Sequence, residues 1–251
     1  MPTVHFSDVS YTYFTNNGSE IKALANITMT IRDGEFVCLF GPSGCGKSTL
    51  LHLVAGFLAP TSGKISLDEK EIEGSGADRA VVFQKYNLFP WRSVKRNVEF
   101  GSNLRTLKRE IRDEKVKLWL SRMNLESFED FFPAQLSSGM QQRVAIARAF
   151  ANDPSLLLMD EPLAALDAIT ARGVRALVQD LCTKEGKTVL FVTHDIDEAI
   201  LLSDRIVLLS ARPGTIVRDF RVSLPKPRND ECLSKPDAMI IRSEILQTLT
   251  S

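Results

Sequence analysis

The chain has 251 residues and 44% of them are hydrophobic, enough to bury a substantial core in one large domain or in a domain with a subdomain. Lysine plus arginine equals aspartate plus glutamate at 31 each, so no global charge draws the molecule to nucleic acid.

EFVCLF, ending at Phe40, is a short apolar run that stops at a glycine and reads as a buried strand. STLLHLVAGFL follows as a helix ending near Pro60. TSGKISLDEKEI has a glycine turn and then alternation, the pattern of a strand pair at a sheet edge. RAVVFQ, Arg79 to Gln84, is a further buried strand. From about Lys85 to Ala151 the character changes to helical. Leu104, Leu107, Ile111 and Leu118 form a stripe with charges between them. FEDFFPAQL reads as an aromatic loop that fills core, and SGMQQRVAIARAFA as a small-residue helix capped by the serines before it. Between Pro90 and Arg122, ten Lys/Arg stand against four Asp/Glu, an excess of +6. That is either a solvated helical face or a surface turned to anionic lipid or a membrane partner. Strands resume with SLLLMD and TVLFVTH, with a helix from about Ile169 to Lys184 between them. RIVLLS and GTIVRDFRV flank ARPG as a hairpin, and a proline-rich tail after Pro225 turns helical around Met239 to Leu249. Alternating strands and helices argue for an α/β core with a mainly parallel sheet.

The four cysteines, Cys38, Cys45, Cys182 and Cys232, contain no CxxC pair, which argues against zinc and for free thiols in a reducing cytosol. The start MPTVHFSDVS lacks the pattern of a signal peptide, and no apolar stretch approaches the roughly 20 residues that cross a bilayer. Work at a membrane would need another polypeptide to span it.

The strongest chemical signal is GPSGCGKS, Gly41 to Ser48, which matches GxxxxGK[ST] between a strand and a helix. Glycines let the backbone wrap an anion at a distance that a Cβ prevents. The helix N-terminus adds partial positive charge. Lys47 is placed to reach the β- and γ-phosphates and the Ser48 hydroxyl to ligate Mg²⁺. A second signal is the apolar strand SLLLMD, which ends in Asp160 and Glu161 before Pro162. Asp160 can hold Mg²⁺ through water, and Glu161 can polarise an attacking water. Taken alone, the acids read equally well as carboxylates at a helix start; beside a phosphate loop the catalytic reading prevails. Gln84 and His194 each end a strand, and by themselves are ordinary polar residues there.

Five segments in order, GPSGCGKST, Gln84, LSSGMQQRVAIARA, LLLMDEPLAALD and FVTHDIDEA, resemble the ATP-binding cassette ATPases over about residues 4 to 220. GPSGCGKSTLL, LSSGMQQRVAIARA, DEPLAALDA and the RPG after RIVLLS most resemble separate ATPase subunits of bacterial importers for nitrate, sulfonate, taurine and related solutes. The resemblance implies a P-loop NTPase core with a mainly parallel sheet, an N-terminal antiparallel β region and an inserted α-helical subdomain. It implies one nucleotide-binding domain, with its core at about 1–86 and 152–224, the helical subdomain at 87–151 and a tail at 225–251. ATP and Mg²⁺ are the implied ligands. A homodimer would form two composite ATP sites, joined to integral membrane permease subunits and indirectly to a solute-binding protein, as a peripheral subunit on the cytoplasmic side of the cell membrane.

The resemblance also implies roles. Gly41, Pro42, Ser43, Gly44, Cys45, Gly46, Lys47, Ser48 and Thr49 hold the phosphates; Ser48, Gln84 and Asp160 hold the metal; Glu161 is the base and His194 the switch histidine. Tyr13, or its neighbour Tyr11 or Phe14, stacks on adenine, with Tyr13 the best match. Ser137 and Gly139 act in trans on a partner's nucleotide, which explains why one chain carries two anion-binding segments. Asp167 lies in the loop that crosses the dimer interface. Asn87 to Trp91 lies where a helix of the membrane subunit docks. Ser138 and Met140 depart from the commonest LSGGQ signature, and Ala164 from the serine often found before Ala-Leu-Asp. The competing reading is a soluble cassette ATPase acting on nucleic acid or ribosomes, whose usual tandem cassettes or coiled-coil insert are not present here. A GTPase would need an NKxD motif, which the sequence lacks.

Overall fold

A computed structural model describes residues 3–15, 18–103 and 107–250. In chain order the elements are β1 (Val4–Phe14), β2 (Glu20–Ile31), β3 (Phe36–Phe40), α1 (Lys47–Ala55), β4 (Ser62–Leu67), β5 (Lys70–Glu71), β6 (Arg79–Val82), α2 (Val94–Asn103), α3 (Arg109–Arg122) and α4 (Ser138–Ala151). They continue with β7 (Leu156–Asp160), α5 (Ala168–Lys184), β8 (Thr188–Val192), α6 (Ile196–Leu202), β9 (Arg205–Leu209), β10 (Ile216–Arg221) and α7 (Pro236–Thr250). The chain divides into two units, Met1–Gly76 with Val178–Ser251, and Ala77–Leu177, the division falling inside α5.

In the first unit, β1 pairs antiparallel with β2 and with β4, giving the order β2-β1-β4-β5. Val4 and Phe6 are buried while His5 and Ser7 are exposed, the period-two pattern of a sheet with one wet face. The edge strand β5 is two charged residues long, a form that discourages pairing with other chains. The turn before it is made by Asp68 and Glu69, at φ 48 and 65, rather than by a glycine. Gly63 instead lies inside β4, where a Cβ would sit 2.3 Å from the Asp8 carbonyl oxygen. Close backbone approach, not a turn, requires glycine there.

The other strands of this unit are ordered β10-β9-β3-β8. β3 runs parallel to both β8 and β9, and the hairpin through ARPG places β10 antiparallel on β9. Every residue of β3 and β8 is buried, as expected for parallel strands covered on both faces.

One side chain anchors the start of the tail. Arg228 is 6% exposed and donates to the carbonyls of Leu224, Ile200, Ser203 and Val222 at 2.6–3.1 Å. Its own amide donates to Gln179 Oε1 at 2.6 Å, and Gln179 Nε2 donates to Leu201 O at 2.8 Å. Ile200 and Ser203 stand at the C-terminal end of α6, so the guanidinium supplies donors to carbonyls that the helix leaves unpaired. Burial lowers the Arg228 pKa while Asp204 opposes that shift. Arg228→Met should cost about 3 kcal/mol, because several buried carbonyls lose their donor together. Urea unfolding of the two chains measures it, and an unchanged midpoint would show that water replaces the side chain.

In the second unit, β6 and β7 pair in parallel and α2, α3 and α4 pack together. β6 is only partly buried, with Val82 its one enclosed residue. The face of α3 differs from the expected stripe. Ile111 and Leu118 are exposed, Leu104 lies outside the described residues, and Val116, Trp119, Leu120 and Met123 form the buried face. Two apolar stripes compete on this helix, and the one carrying Trp119 at i, i+3, i+4 spacing buries more surface. FEDFFPAQL is likewise not core filler, since Phe131 and Phe132 are 40% and 46% exposed. Its backbone serves α2 instead: Val94 N donates to Phe131 O at 2.8 Å and Lys95 N to Glu129 O at 2.9 Å, pairing two amides of the first turn. The basic excess is met in part by two acids outside that stretch, Glu129 and Asp153. Lys95 pairs with Glu129, Arg96 and Arg112 with Glu99, Arg109 with Asp113, and Lys115 with Asp153.

Candidate active site

The first unit carries the glycine loop read from the sequence as a candidate phosphate loop. β3 ends at Phe40, and residues 41–46 curl into α1, with Gly44 and Gly46 at φ 75 and 101. Lys47, 5% exposed, folds back so that Nζ donates to Gly41 O at 2.8 Å and Pro42 O at 2.9 Å. The ammonium thus lies inside the ring of backbone that an anion would enter. Cys45 is buried beside it, and burial raises its thiol pKa while Lys47 lowers it. Tyr13 is brought to the loop's helix, its hydroxyl 3.0 Å from Thr49 Oγ1, and it remains 38% exposed. Tyr11 packs edge-on against Tyr13 at 4.8 Å between centroids, and Phe14 is exposed. Of the three aromatics, Tyr13 is the one bonded to the loop's helix.

The loop rests on a support that sequence reasoning did not assign. The Arg212–Pro213–Gly214 turn closes onto β2: Gly214 N donates to Ala23 O at 2.9 Å and Ala25 N to Gly214 O at 3.0 Å. A Cβ on Gly214 would meet Cys45 O at 2.1 Å, and one on Gly46 would meet Leu24 Cδ2 at 2.7 Å. Leu24 and Gly214 therefore set the floor of the loop. Gly214→Ala should push Cys45 outward, lowering stability by about 1–3 kcal/mol and weakening nucleotide binding about tenfold. Calorimetric titration with ATP measures the second effect, and unchanged affinity would show that the floor is not needed.

Parallel pairing also fixes where the other strand-end residues emerge. Leu39 pairs with Val192, so the loop starting at Gly41 and the turn bearing His194 leave the same edge of the sheet. His194 is exposed, two residues beyond the end of β8. Its turn is braced by Thr193, whose buried hydroxyl donates to Glu198 Oε2 at 2.6 Å and accepts from Asp195 N at 3.0 Å. Asp195 caps α6 by accepting from the amides of Asp197 and Glu198.

The second unit repeats the arrangement. Val82 pairs with Met159, so Gln84 and the Asp160–Glu161 pair leave one edge together. Gln84 is exposed and lies past the strand's end, in a bend. Glu161 adopts φ 44, a left-handed backbone that costs an L residue about 1–2 kcal/mol. Ala164 N donates to Glu161 O at 3.2 Å and holds that turn. Backbone strain at a carboxylate beside a strand end is a mark of functional positions.

Ser137 caps α4, its Oγ accepting from Met140 N at 3.3 Å. Gly139 is buried, and a Cβ on it would come within 2.3 Å of Thr170 Cγ2. Thr170 lies in the first turn of α5, which Asp167 Oδ1 caps by accepting from Thr170 N at 3.1 Å. Those hydrogen bonds to Thr170 lower the Asp167 pKa. The start of α4 and the loop before α5 are thus packed on one another, a contact the sequence did not announce.

A glycine loop passing from a buried parallel strand into a helix is the phosphate-binding device of P-loop NTPases. The family model described as ABC transporter matches residues 24–164, and the chain belongs to that family as one of its ATPases. It is 49% identical over 241 residues to an uncharacterized ABC transporter ATP-binding protein of Methanocaldococcus jannaschii, MJ0412, covering 94% of this chain and 90% of that one. It is 45% identical to the nitrate import ATP-binding protein NrtD of Synechocystis sp., covering 88% and 83%, and 42% identical to the taurine import ATP-binding protein TauB of Jannaschia sp., covering 95% and 91%. Among solved structures it resembles the dimeric ATP-binding cassette MJ0796 bound to ADP and Pi in a post-hydrolysis state. That match has a TM-score of 0.77 and 35% identity over 88% of this chain and 100% of that one. Among the described residues no helix is long and apolar enough to cross a membrane.

Proposed function

We propose that the chain energises a bacterial importer of a small anionic or sulfonate-like solute, as a peripheral ATPase that works in pairs on the cytoplasmic side of the cell membrane. The observation that supports this is that two helix N-termini suited to an anion stand in different units of one chain. One unit holds a glycine loop closed around Lys47, and the other holds a helix N-terminus capped by Ser137. Identity of 42–45% to subunits named for taurine and nitrate import supports the solute class, and the dimeric MJ0796 cassette supports the pairing.

In this reading the entire chain is one nucleotide-binding domain. Residues 1–86 and 152–224 form the ATP-binding core, 87–151 the helical subdomain and 225–251 the tail. Gly41 to Thr49 cradle the phosphates and Tyr13 stacks on adenine. The donors proposed for Mg²⁺, the Ser48 hydroxyl, the Gln84 amide and the Asp160 carboxylate, are hard oxygen groups. They are too few to cage an ion alone, which suits a cation that keeps waters and substrate phosphates as ligands. Bound there, Mg²⁺ would offset charge building on the phosphate oxygens. Glu161 accepts the proton of the attacking water, and His194 contacts the γ-phosphate. Ser137 and Gly139 of one copy close over the nucleotide of the other, offering helix N-terminal amides to it. Closure with ATP and reopening after hydrolysis differ in their contacts, which lets the cycle shift a transporter between states.

Trp91 is 72% exposed and lines a cavity of 540 Å³ with Arg92, Ser93, Arg96, Glu99 and Phe132. We assign this surface to the cytoplasmic part of a membrane permease, through which a solute-binding protein is reached indirectly.

Cross-linking tests the composite site. Chains carrying Ser137→Cys are mixed with chains carrying Ser43→Cys and oxidised with or without ATP and Mg²⁺. An intermolecular disulfide that forms only with nucleotide is expected, and its absence would contradict assembly of the site from two copies.

A further inference from the structure

The segment 83–93, between β6 and α2, contains no helix or strand, yet side chains hold it from two directions. From α2, the fully buried Asn97 accepts from Phe89 N at 2.9 Å and donates to the carbonyls of Phe89, Arg92 and Ser93 at 3.0–3.2 Å. From the last turns of α4, Arg148 donates through Nη1 to Asn87 O at 2.8 Å and through Nη2 to Tyr86 O at 3.2 Å. Its guanidinium also lies 5.5 Å from the centroid of Phe89. Asn87 sits at φ 47, a conformation asparagine tolerates better than most residues. The two helices touch closely where the clamp forms, since a Cβ on Gly101 would come within 2.3 Å of Arg148 O.

A guanidinium presents its donors in a rigid planar fork, so it can grip two successive carbonyls and lie on a ring at once. Burial disfavours its charge and lowers its pKa. A residue whose purpose was only packing would avoid that cost. The helix that carries Arg148 begins at Ser137 and Gly139, while the segment it grips runs from Gln84 to Trp91. A hydrogen-bonded helix is stiff over this length, so its two ends move together.

We propose that Arg148 is a positioning residue that ties α4 to the segment from Gln84 to Trp91, so that capture of nucleotide at the start of α4 displaces Trp91 with it. The proposal rests on the reading of α4 as the nucleotide-closing helix given above. It adds the physical link by which that closure reaches the surface around Trp91.

Hydrogen exchange on the Glu161→Gln chain, with and without ATP and Mg²⁺, tests the link without any membrane partner. In that parent, both the start of α4 at Ser138 to Met140 and the segment 86–91 should slow with nucleotide, by about tenfold or more. Adding Arg148→Met should leave the first change in place and shrink the second to less than about twofold. Adding Arg148→Lys, which keeps the charge and the fold but loses the fork, should show the same split. Retention of both changes in these chains, or their loss in equal proportion, would overturn the clamp and leave Arg148 a packing residue. If nucleotide changes nothing at Ser138 to Met140 in the parent, the nucleotide-closing reading itself fails, and the clamp fails with it.

Discussion

Glu161→Gln should slow ATP turnover by about a hundredfold or more, because a positioned general base contributes roughly 10²–10⁴-fold to such a step. The substitution keeps the size and shape of the side chain but removes its negative charge and with it the ability to take a proton from water. Its backbone is already in place: Glu161 is held at φ 44 by a turn that Ala164 closes, directly after the strand end at Asp160. Binding of ATP should therefore persist while exit from the closed state fails, and a nucleotide-bound dimer should accumulate. Steady-state phosphate release and size-exclusion chromatography with ATP and Mg²⁺ measure the two effects. Hydrolysis near the rate of the unaltered chain would remove Glu161 from the role of base.

Lys47→Ala acts earlier in the cycle. Nζ of Lys47 bonds the carbonyls of Gly41 and Pro42, so its charge already faces the space inside the loop. Phosphate oxygens are stronger acceptors than neutral carbonyls, and charge-assisted bonds of this kind are worth about 1.5–3 kcal/mol. Affinity for ATP should fall by roughly tenfold to a hundredfold. The rise in melting temperature that ATP gives the unaltered chain should disappear at the same ligand concentration. A variant that is stabilised by ATP as strongly as its parent would show that the anion does not enter this loop.

Much of the local chemistry could be read from residues in a row. GPSGCGKS shows itself because its glycines, lysine and serine stand together in one loop between a strand and a helix. The hairpin after Arg205 was legible because ARPG separates two apolar runs of strand length. Contacts between distant residues left no such trace. Gly214 supports Cys45, and Thr170 covers Gly139, because the fold brings separate segments together at backbone distance. The RPG after RIVLLS was visible as a motif, but its task, closing onto Ala23 and Ala25 beneath the phosphate loop, depends on where β2 runs.

The misread helix face has a different cause. Hydrophobic pattern specifies a face only where one stripe outweighs the rest, and α3 carries two. Trp119 and Met123 decide the matter through packing that the pattern alone does not weigh. Phe131 and Phe132 show the complementary limit: apolar character permits burial without requiring it. Phe132 lines the same cavity as Trp91 and adds to its aromatic character. The role of Arg148 leaves no trace in the sequence, since its acceptors are backbone carbonyls, which every residue carries.

The central claim is that ATP turnover by this chain drives a membrane transporter. The direct test is recovery of a tagged Glu161→Gln chain, with ATP and Mg²⁺, from detergent-solubilised membranes of its own host. The account predicts co-purification of a multi-span membrane protein in stoichiometric amount. Recovery of a nucleotide-bound dimer alone, across several detergents, would contradict the transporter reading and favour a soluble cassette ATPase.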